Sequence, residues 1–487
     1  MIRQKDHFSE AVCIWHDLDM DKEFSIAGFK GIDIDFVNHI KNTPGMILAL
    51  GPNPPPFQYL FNLQKLVSSK ISDEVIEILD KKYSIFDIQP FLLEEKIDPV
   101  AFIKTRLDID DCLIIQGPPG TGKTHFIAEL IAQFASENKS ILATALTNQA
   151  LMEIVEKPAL QNLLMEQKVY KTKISIDESK QQKRLMLAKN ITPASGNVIL
   201  STFYITSDLA LKKDERFSFD IVIMDESSQA LLAMFAASKI LGKKNIWIGD
   251  THQLSPIVTI SEDEIRNKRY NIFVNGLHSL SCSQLYPVFQ FTHSYRLPPR
   301  GTDYTGIFYQ NTLKSRSESG QRLLFNELSL NTRKLLHPMG GPVLIKMNLP
   351  KGNYQPEKGI AFTVNFIKEL LGIKEKIHIS VLSFFIKTIK SLQNKSFQEF
   401  GYHKNLIIET VSKIQGLTTD ICIYFVPNTN YIRSLEKRLF NVATSRAKRH
   451  TIIIADKGIL NERYVDKKVA LFLKKLDMEF SFNADDF

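Results

Sequence analysis

Cysteine is scarce in this chain: Cys13, Cys112, Cys282 and Cys422 are its only four, widely scattered and with no C-x-x-C pair. That scarcity argues against structural zinc, an iron–sulfur cluster or a disulfide framework, and it fits a reducing cytosol. Long apolar runs are missing as well. The longest, around Leu231 to Leu241, is broken by Ser238 and Lys239, well short of the ~18 apolar residues that a membrane span needs. The opening Met1-Ile2-Arg3-Gln4-Lys5-Asp6-His7 leads into no apolar segment, so no signal peptide is expected. No internal repeat or low-complexity tract is present.

What is there is an ordinary soluble balance, 44% hydrophobic and 23% charged residues over a length of 487, enough for about three domains. The net charge is +8 and the isoelectric point about 9.0. A basic balance is necessary for a polyanion partner but does not establish one.

The most specific stretch is Gly117-Pro118-Pro119-Gly120-Thr121-Gly122-Lys123-Thr124. It follows the apolar run Cys112–Gln116, read as a buried strand, and precedes Phe126-Ile127-Ala128-Glu129-Leu130-Ile131-Ala132, read as a helix. A glycine-rich turn in that setting points backbone N–H groups inward, and the helix start adds positive potential. Lys123 then reaches the β- and γ-phosphates of a nucleoside triphosphate, and the Thr124 hydroxyl ligates Mg²⁺.

From about Asp110 apolar strands alternate with helices. The expected strands are Cys112–Gln116, Ser140–Ala145, Asn197–Ser201, Asp220–Met224 and Lys244–Ile248. A second series follows: Gly341–Met347, Ile377–Ser383, Leu406–Thr410, Asp420–Phe425 and Arg449–Ala455. Runs so rich in Val and Ile suit parallel strands buried on both faces. Two consecutive α/β units, only the first with a phosphate loop, suggest nucleotide-binding-type domains facing each other. The polar section 151–195, with Lys180-Gln181-Gln182-Lys183-Arg184, reads as a helical insertion standing off the first sheet. Residues 1–100 read as an accessory module with a turn-rich patch, Gly51-Pro52-Asn53-Pro54-Pro55-Pro56, and a helix from Ser69 to Asp80. The expected division is thus 1–100, 101–288 and 289–487.

Carboxylates and cations occur where phosphoryl transfer needs them. The strand Asp220–Met224 runs into Asp225-Glu226; Asp225 is expected to hold the metal through water, and Glu226 to orient or deprotonate the attacking water. The next strand ends in Gly249-Asp250-Thr251-His252-Gln253-Leu254-Ser255-Pro256, where the Gln253 amide is suited to sense the γ-phosphate. Arg296, in Ser294-Tyr295-Arg296, and Arg446, in Asn441–Lys448, are candidates to face the developing charge.

In this order Gly117–Thr124, Asp225–Gln229, Gly249–Pro256, Ser294–Arg296, Gln415-Gly416 and Asn441–Lys448 resemble the motifs of superfamily 1 helicases, and among these the 5′-to-3′ branch that includes the nonsense-mediated-decay helicase. Thr147-Asn148-Gln149-Ala150, Ser201-Thr202 and Phe308-Tyr309-Gln310-Asn311-Thr312-Leu313 are similar to further motifs of that family. The resemblance spans roughly residues 110 to 455. It implies two tandem RecA-like domains that hydrolyse ATP with Mg²⁺ between them and grip single-stranded nucleic acid, DNA favoured over RNA. It also implies that Gln415 and Gly416 couple nucleotide state to grip, and that Thr147, Asn148, Ser201 and Thr202 touch the strand.

The chain also departs from the family. Ser412 and Thr418 stand where its motif V carries acids, Ser383-Phe384-Phe385-Ile386-Lys387-Thr388 replaces T-P-Y-x-x-Q, and Ile97–Leu107 contains no glutamine to read adenine. The stretch after Arg446 is too short for an appended nuclease, so a cleavage partner is expected to be a separate chain. Two rival readings follow. A ring-forming AAA+ remodelling ATPase shares the phosphate loop, but it normally takes its arginine from a neighbouring subunit. A nucleotide-gated clamp or signalling ATPase within a repair or anti-phage complex would bind strand with little unwinding. The expected setting is cytoplasmic.

Overall fold

Val, Ile and Leu fill the strands of two separate parallel sheets in the computed structural model. It describes residues 2–4, 7–9, 11–17, 26–46, 49–50, 57–69, 73–79, 90–212, 217–256, 258, 264–265, 268–317, 327–414, 416–461 and 465–484. The first sheet contains β1 (Phe91–Leu93), β2 (Cys112–Gln116), β3 (Ile141–Ala145), β4 (Val169–Lys171), β5 (Met186–Leu187), β6 (Val198–Thr202), β7 (Phe219–Met224), β8 (Gly242–Gly249) and β9 (Val288–Phe291). Its order is β5-β4-β6-β3-β7-β8-β2-β9-β1, and every pairing is parallel. The second contains β10 (Gly341–Met347), β11 (Ile379–Ser383), β12 (Leu406–Thr410), β13 (Thr419–Val426), β14 (Ala447–Asp456) and β15 (Ser481–Asn483). Its order is β12-β11-β13-β14-β10-β15, again parallel throughout.

Each sheet is covered on both faces, as all-parallel sheets require. Alternate residues of β2 show it: Leu113 and Ile115 join one core, Cys112 and Ile114 the other. In β10, Val343 and Ile345 face one side and Leu344 the opposite side. The ten expected strands all exist, three with the expected bounds and the rest with one or both ends shifted by a residue or two. Each apolar run is one strand because a strand buried on both faces leaves no alternation to misread.

The section 151–195 does not stand off the sheet as a helical insertion. It adds β4 and β5 at the sheet edge. Leu160, Leu163, Leu164 and Val169 are buried in the first core, and Lys171, at 1% exposure, spends its charge on Glu178 and the Asn148 amide oxygen. Burying those side chains outweighs the polar surface of the neighbouring turns.

Two helices from the expected accessory region, Phe57–Ser69 and Asp73–Leu79, pack Tyr59, Leu63, Leu66, Val75 and Ile78 into the first unit's core. β1 comes from the same region and β9 also belongs to the first sheet, which therefore reaches Phe291. The patch 51–56 and Gln415 lie outside the described residues.

Candidate functional site

A strand that ends at Gln116 and a helix that starts at Lys123 leave only Gly117 to Gly122 to turn the chain. Gly117 N–H donates to Gly249 O at 2.8 Å, which pins the loop to the neighbouring strand. Gly120 has φ +73°, and a Cβ there would lie 2.4 Å from Arg296 Cβ and 2.6 Å from Ser294 Oγ. Glycine is therefore required on two counts, positive φ and the close approach of the Ser294–Arg296 segment. That approach is fixed by Tyr295 N–H donating to Gly120 O at 2.8 Å and by Ser294 Oγ donating to Pro119 O at 2.9 Å.

Lys123 folds back over the loop and donates to Gly117 O at 2.6 Å. Burial lowers its pKa, opposed by Asp250 and Asp225 nearby. At the end of β7, Asp225 is 4% exposed and accepts from Glu226 N–H at 2.7 Å. Burial raises its pKa. Glu226 adopts φ +50°, a strained conformation for a non-glycine residue that costs of order 1–3 kcal/mol and clusters at functional sites. Its Oε2 is buried with no partner among the described residues. Burial, then the charges of Asp225 and Glu153, push the Glu226 carboxyl up to about 8.

These groups line a cleft of about 320 Å³ whose walls come from both units: Lys123, Thr124, Asp225, Glu226 and Gln253 on one side, Arg296, Gly416, Thr418 and Arg446 on the other. Arg446 is 2% exposed. It follows the helix Lys437–Thr444, donates through Nε to Val442 O at 3.1 Å, and through Nη2 to Gln253 Oε1 at 3.3 Å across the cleft. Arg296 Nη1 donates to Ser445 O at 3.2 Å. Burial, then the neighbouring Arg446 charge, pulls the Arg296 guanidinium down to about 9. Two cations side by side, Arg446 buried and Arg296 half-buried, call for an anion, since unpaired charge away from water is costly.

The donor set suits a triphosphate with Mg²⁺. The Thr124 hydroxyl and the Asp225 carboxylate are hard oxygen ligands, and the orphaned Glu226 oxygen lacks only a donor such as water.

The expected strand-contact residues lie at the ends of two neighbouring strands, with Thr202 in register with Ala145. Thr147 is exposed and its Oγ1 accepts from Ala150 N–H at 3.1 Å, capping the helix Asn148–Val155. The Asn148 oxygen is occupied by Lys171 at 2.8 Å. Ser201 is fully buried and Thr202 nearly so, so Thr147 offers the most accessible side chain of the four.

Several residues of the site carried no assignment from sequence. Asp250 is a buried hub. It accepts from Gln116 Nε2 at 2.6 Å, His252 N–H at 3.0 Å, Gln253 Nε2 at 2.7 Å and Tyr309 O–H at 2.6 Å. Its place beside Gln253 at a strand end was the available signal. Glu153, from the helix Asn148–Val155, lines the cleft, and burial raises its pKa; nothing in its local pattern marks it. Tyr295 is 60% exposed beside Gly122 and borders a second cavity of about 490 Å³ with Ile97, Pro99, Phe126 and Phe291.

Two AAA domain family models match the chain, one over residues 100–183 and 165–262, the other over 277–458. The DNA polymerase alpha-associated DNA helicase A of Schizosaccharomyces pombe is 26% identical over 452 residues, 78% of this chain and 66% of that protein. The DNA replication ATP-dependent helicase/nuclease DNA2 of Gallus gallus is 26% identical over 429 residues, 82% of this chain and 41% of that protein. The DNA-binding protein SMUBP-2 of Mesocricetus auratus is 23% identical over 451 residues, 75% of this chain and 44% of that protein. The chain thus spans less than two thirds of the length of these relatives.

Proposed function

The chain belongs to the superfamily 1 helicases, and from that premise we propose an ATP-driven translocase that moves 5′-to-3′ on single-stranded DNA. ATP and Mg²⁺ occupy the cleft between the units, which we assign as RecA-like domains. The carrying observation is the meeting of Lys123, Asp225 and Glu226 from one unit with Arg446 from the other, through its bond to Gln253. DNA as the strand draws support from the printed names of the relatives, which refer to DNA. Among the described residues no helix is long and apolar enough to cross a membrane, and we place the protein in the cytoplasm.

In this reading Lys123 leaves Gly117 O for the β- and γ-phosphates, and the loop amides of Gly120 to Thr124 cradle them. Thr124, and Asp225 through water, would hold the metal, which would supply positive charge against the phosphates. Glu226 takes the proton of the attacking water, and its raised basicity suits a base working near neutral pH. Gln253 senses the γ-phosphate, while Arg296 and Arg446 face the charge that builds in transfer. The base lies against Tyr295 in the second cavity, whose stacking face serves any base. Gln415 and Gly416 couple the cleft to the strand, which Thr147, Asn148, Ser201 and Thr202 contact.

Thr418 favours a second reading. It lines the cleft where the family carries an acid, so coupling to strand movement is weaker and the chain acts as a nucleotide-gated clamp. Such a clamp works with a separate nuclease or other effector in repair or anti-phage defence.

The test is ATPase rate with single-stranded DNA and RNA, together with strand separation on tailed duplexes. Stimulation with unwinding supports the translocase and stimulation without unwinding the clamp. Absence of stimulation by any single strand sinks both.

A further inference from the structure

The Asp250 hub is tied to the second unit by one phenol. Tyr309 belongs to that unit's core and is 2% exposed. Its O–H donates to Asp250 Oδ2 at 2.6 Å and accepts from Asn441 Nδ2 at 2.8 Å. The same Asn441 amide donates to His252 O at 2.8 Å. Asn441 sits in the helix that Arg446 follows, and His252 sits next to Gln253. One buried chain of hydrogen bonds therefore runs Gln253–Asp250–Tyr309–Asn441, and the backbone from Asn441 to Arg446 completes a loop where Arg446 meets Gln253.

Local backbone geometry aims the phenol. The turn Gly306–Tyr309 is followed by Gln310 and Asn311, both at positive φ of 55° and 58°, and Asn311 N–H closes the bend on Gly306 O at 2.8 Å. Consecutive left-handed residues cost energy in a non-glycine pair, which the bend repays by placing Tyr309 at the joint. A phenylalanine would fill the same core volume, so the hydroxyl itself needs another explanation.

We propose that Tyr309 is a positioning residue through which a shift of the second unit on strand binding sets Gln253 and Arg446 for hydrolysis. This rests on the translocase reading. Movement of the helix Lys437–Thr444 shifts Asn441, and Tyr309 passes that shift to Asp250, whose other oxygen is anchored by Gln116 of the phosphate-loop strand. Gln253, bonded to Asp250, then turns with it. Without the hydroxyl the two units still meet and Asn441 still holds His252 O, but Asp250 no longer follows the shift.

Tyr309→Phe isolates this role because it orphans nothing. Asp250 keeps Gln116, His252 N–H and Gln253 as donors, and Asn441 keeps His252 O. Leaving no buried polar group unsatisfied avoids the main cost of deleting a hydrogen bond.

The experiment is steady-state ATPase of the full chain without and with saturating oligo(dT) or oligo(rU). Tyr309→Phe is expected to keep basal rate and KM for ATP within about threefold while the strand-stimulated kcat falls about tenfold, the size of a typical inter-site coupling. Asn441→Ala cuts the chain from the other side and gives the same split, and the double variant loses no more than either single one. Wild-type stimulation in Tyr309→Phe, additive losses in the double variant, or basal and stimulated rates falling together each overturn the proposal while leaving the translocase reading standing. A wild-type chain unstimulated by either strand overturns both.

Discussion

Arg446 and Gln253 meet across the cleft at 3.3 Å, an arginine of the second unit donating to the amide oxygen of the first. They are separated by 193 positions in sequence, and both are buried. The amide keeps its own donor on Asp250 at 2.7 Å, so its oxygen can only face the arginine. The cleft is therefore assembled with its cation already oriented, which lowers the cost of organising it during hydrolysis.

Replacing Arg446 removes that cation. Arg446→Ala is expected to lower kcat by about 10³-fold, the scale of an arginine finger. Arg446→Lys should recover little, because a single ammonium cannot hold Val442 O with one nitrogen and face Gln253 with another. Single-turnover hydrolysis with bound nucleotide measures it; near-wild-type rates in Arg446→Ala would remove Arg446 from the mechanism, and in Arg446→Lys they would show that a point charge suffices.

Glu226→Gln tests the base. The amide keeps the volume of the carboxyl but takes no proton, so turnover should fall by about 10²–10⁴-fold. Affinity for ATP, followed by fluorescent-nucleotide titration, should hold, since the amide matches the shape of the carboxyl and the carboxyl, raised to about 8, carries little charge near neutral pH. Surviving turnover would mean that another group accepts the proton.

Much of this was legible in the sequence, for identifiable reasons. The phosphate loop, Asp225 and Glu226 lie at ends of strands buried on both faces, and such strands stand out as apolar runs. The edge strands β4 and β5 did not stand out, because segments as short as Val169–Lys171 and Met186–Leu187 sit among polar turns and are stabilised by the edge they join. The Asp250–Tyr309 bond bridges 59 positions and depends on how two cores dock, which no local pattern encodes. Glu153 was hidden likewise: its place in the cleft follows from where the helix Asn148–Val155 packs.

Gly120→Ala tests the meeting of loop and second unit. The added Cβ collides with Arg296 Cβ and Ser294 Oγ, and Arg296 Cβ is too close to its backbone to swing aside. With the strained φ, the cost should be about 1–3 kcal/mol. The expected result is a lower Tm together with a fall in kcat, because relief requires the Ser294–Arg296 segment to withdraw. Unchanged Tm and kcat would show that this segment stands farther from the loop in solution.

Asp220, at the start of β7, gives a pH-dependent test away from the cleft. Its carboxylate accepts from Ser140 N–H at 2.9 Å, Ser140 Oγ at 2.8 Å and Lys243 Nζ at 2.8 Å. Partial burial alone would raise its pKa, but the Lys243 and Ser140 hydrogen bonds outweigh it and bring it down to about 2. A carboxyl whose folded pKa is depressed stabilises the fold above its unfolded value, ~3.9, and that stabilisation fades as pH falls towards the folded value. Discounted for solvent screening of a partly exposed group, it amounts to about 1–2 kcal/mol at neutral pH. Asp220→Asn should therefore lower Tm at pH 7, and the gap to wild type should narrow steadily below about pH 4 as the wild-type carboxyl protonates. A gap that stays constant from neutral to acid pH would assign the loss to altered packing of the strand end, and charge would have no part in tying β7 to β3.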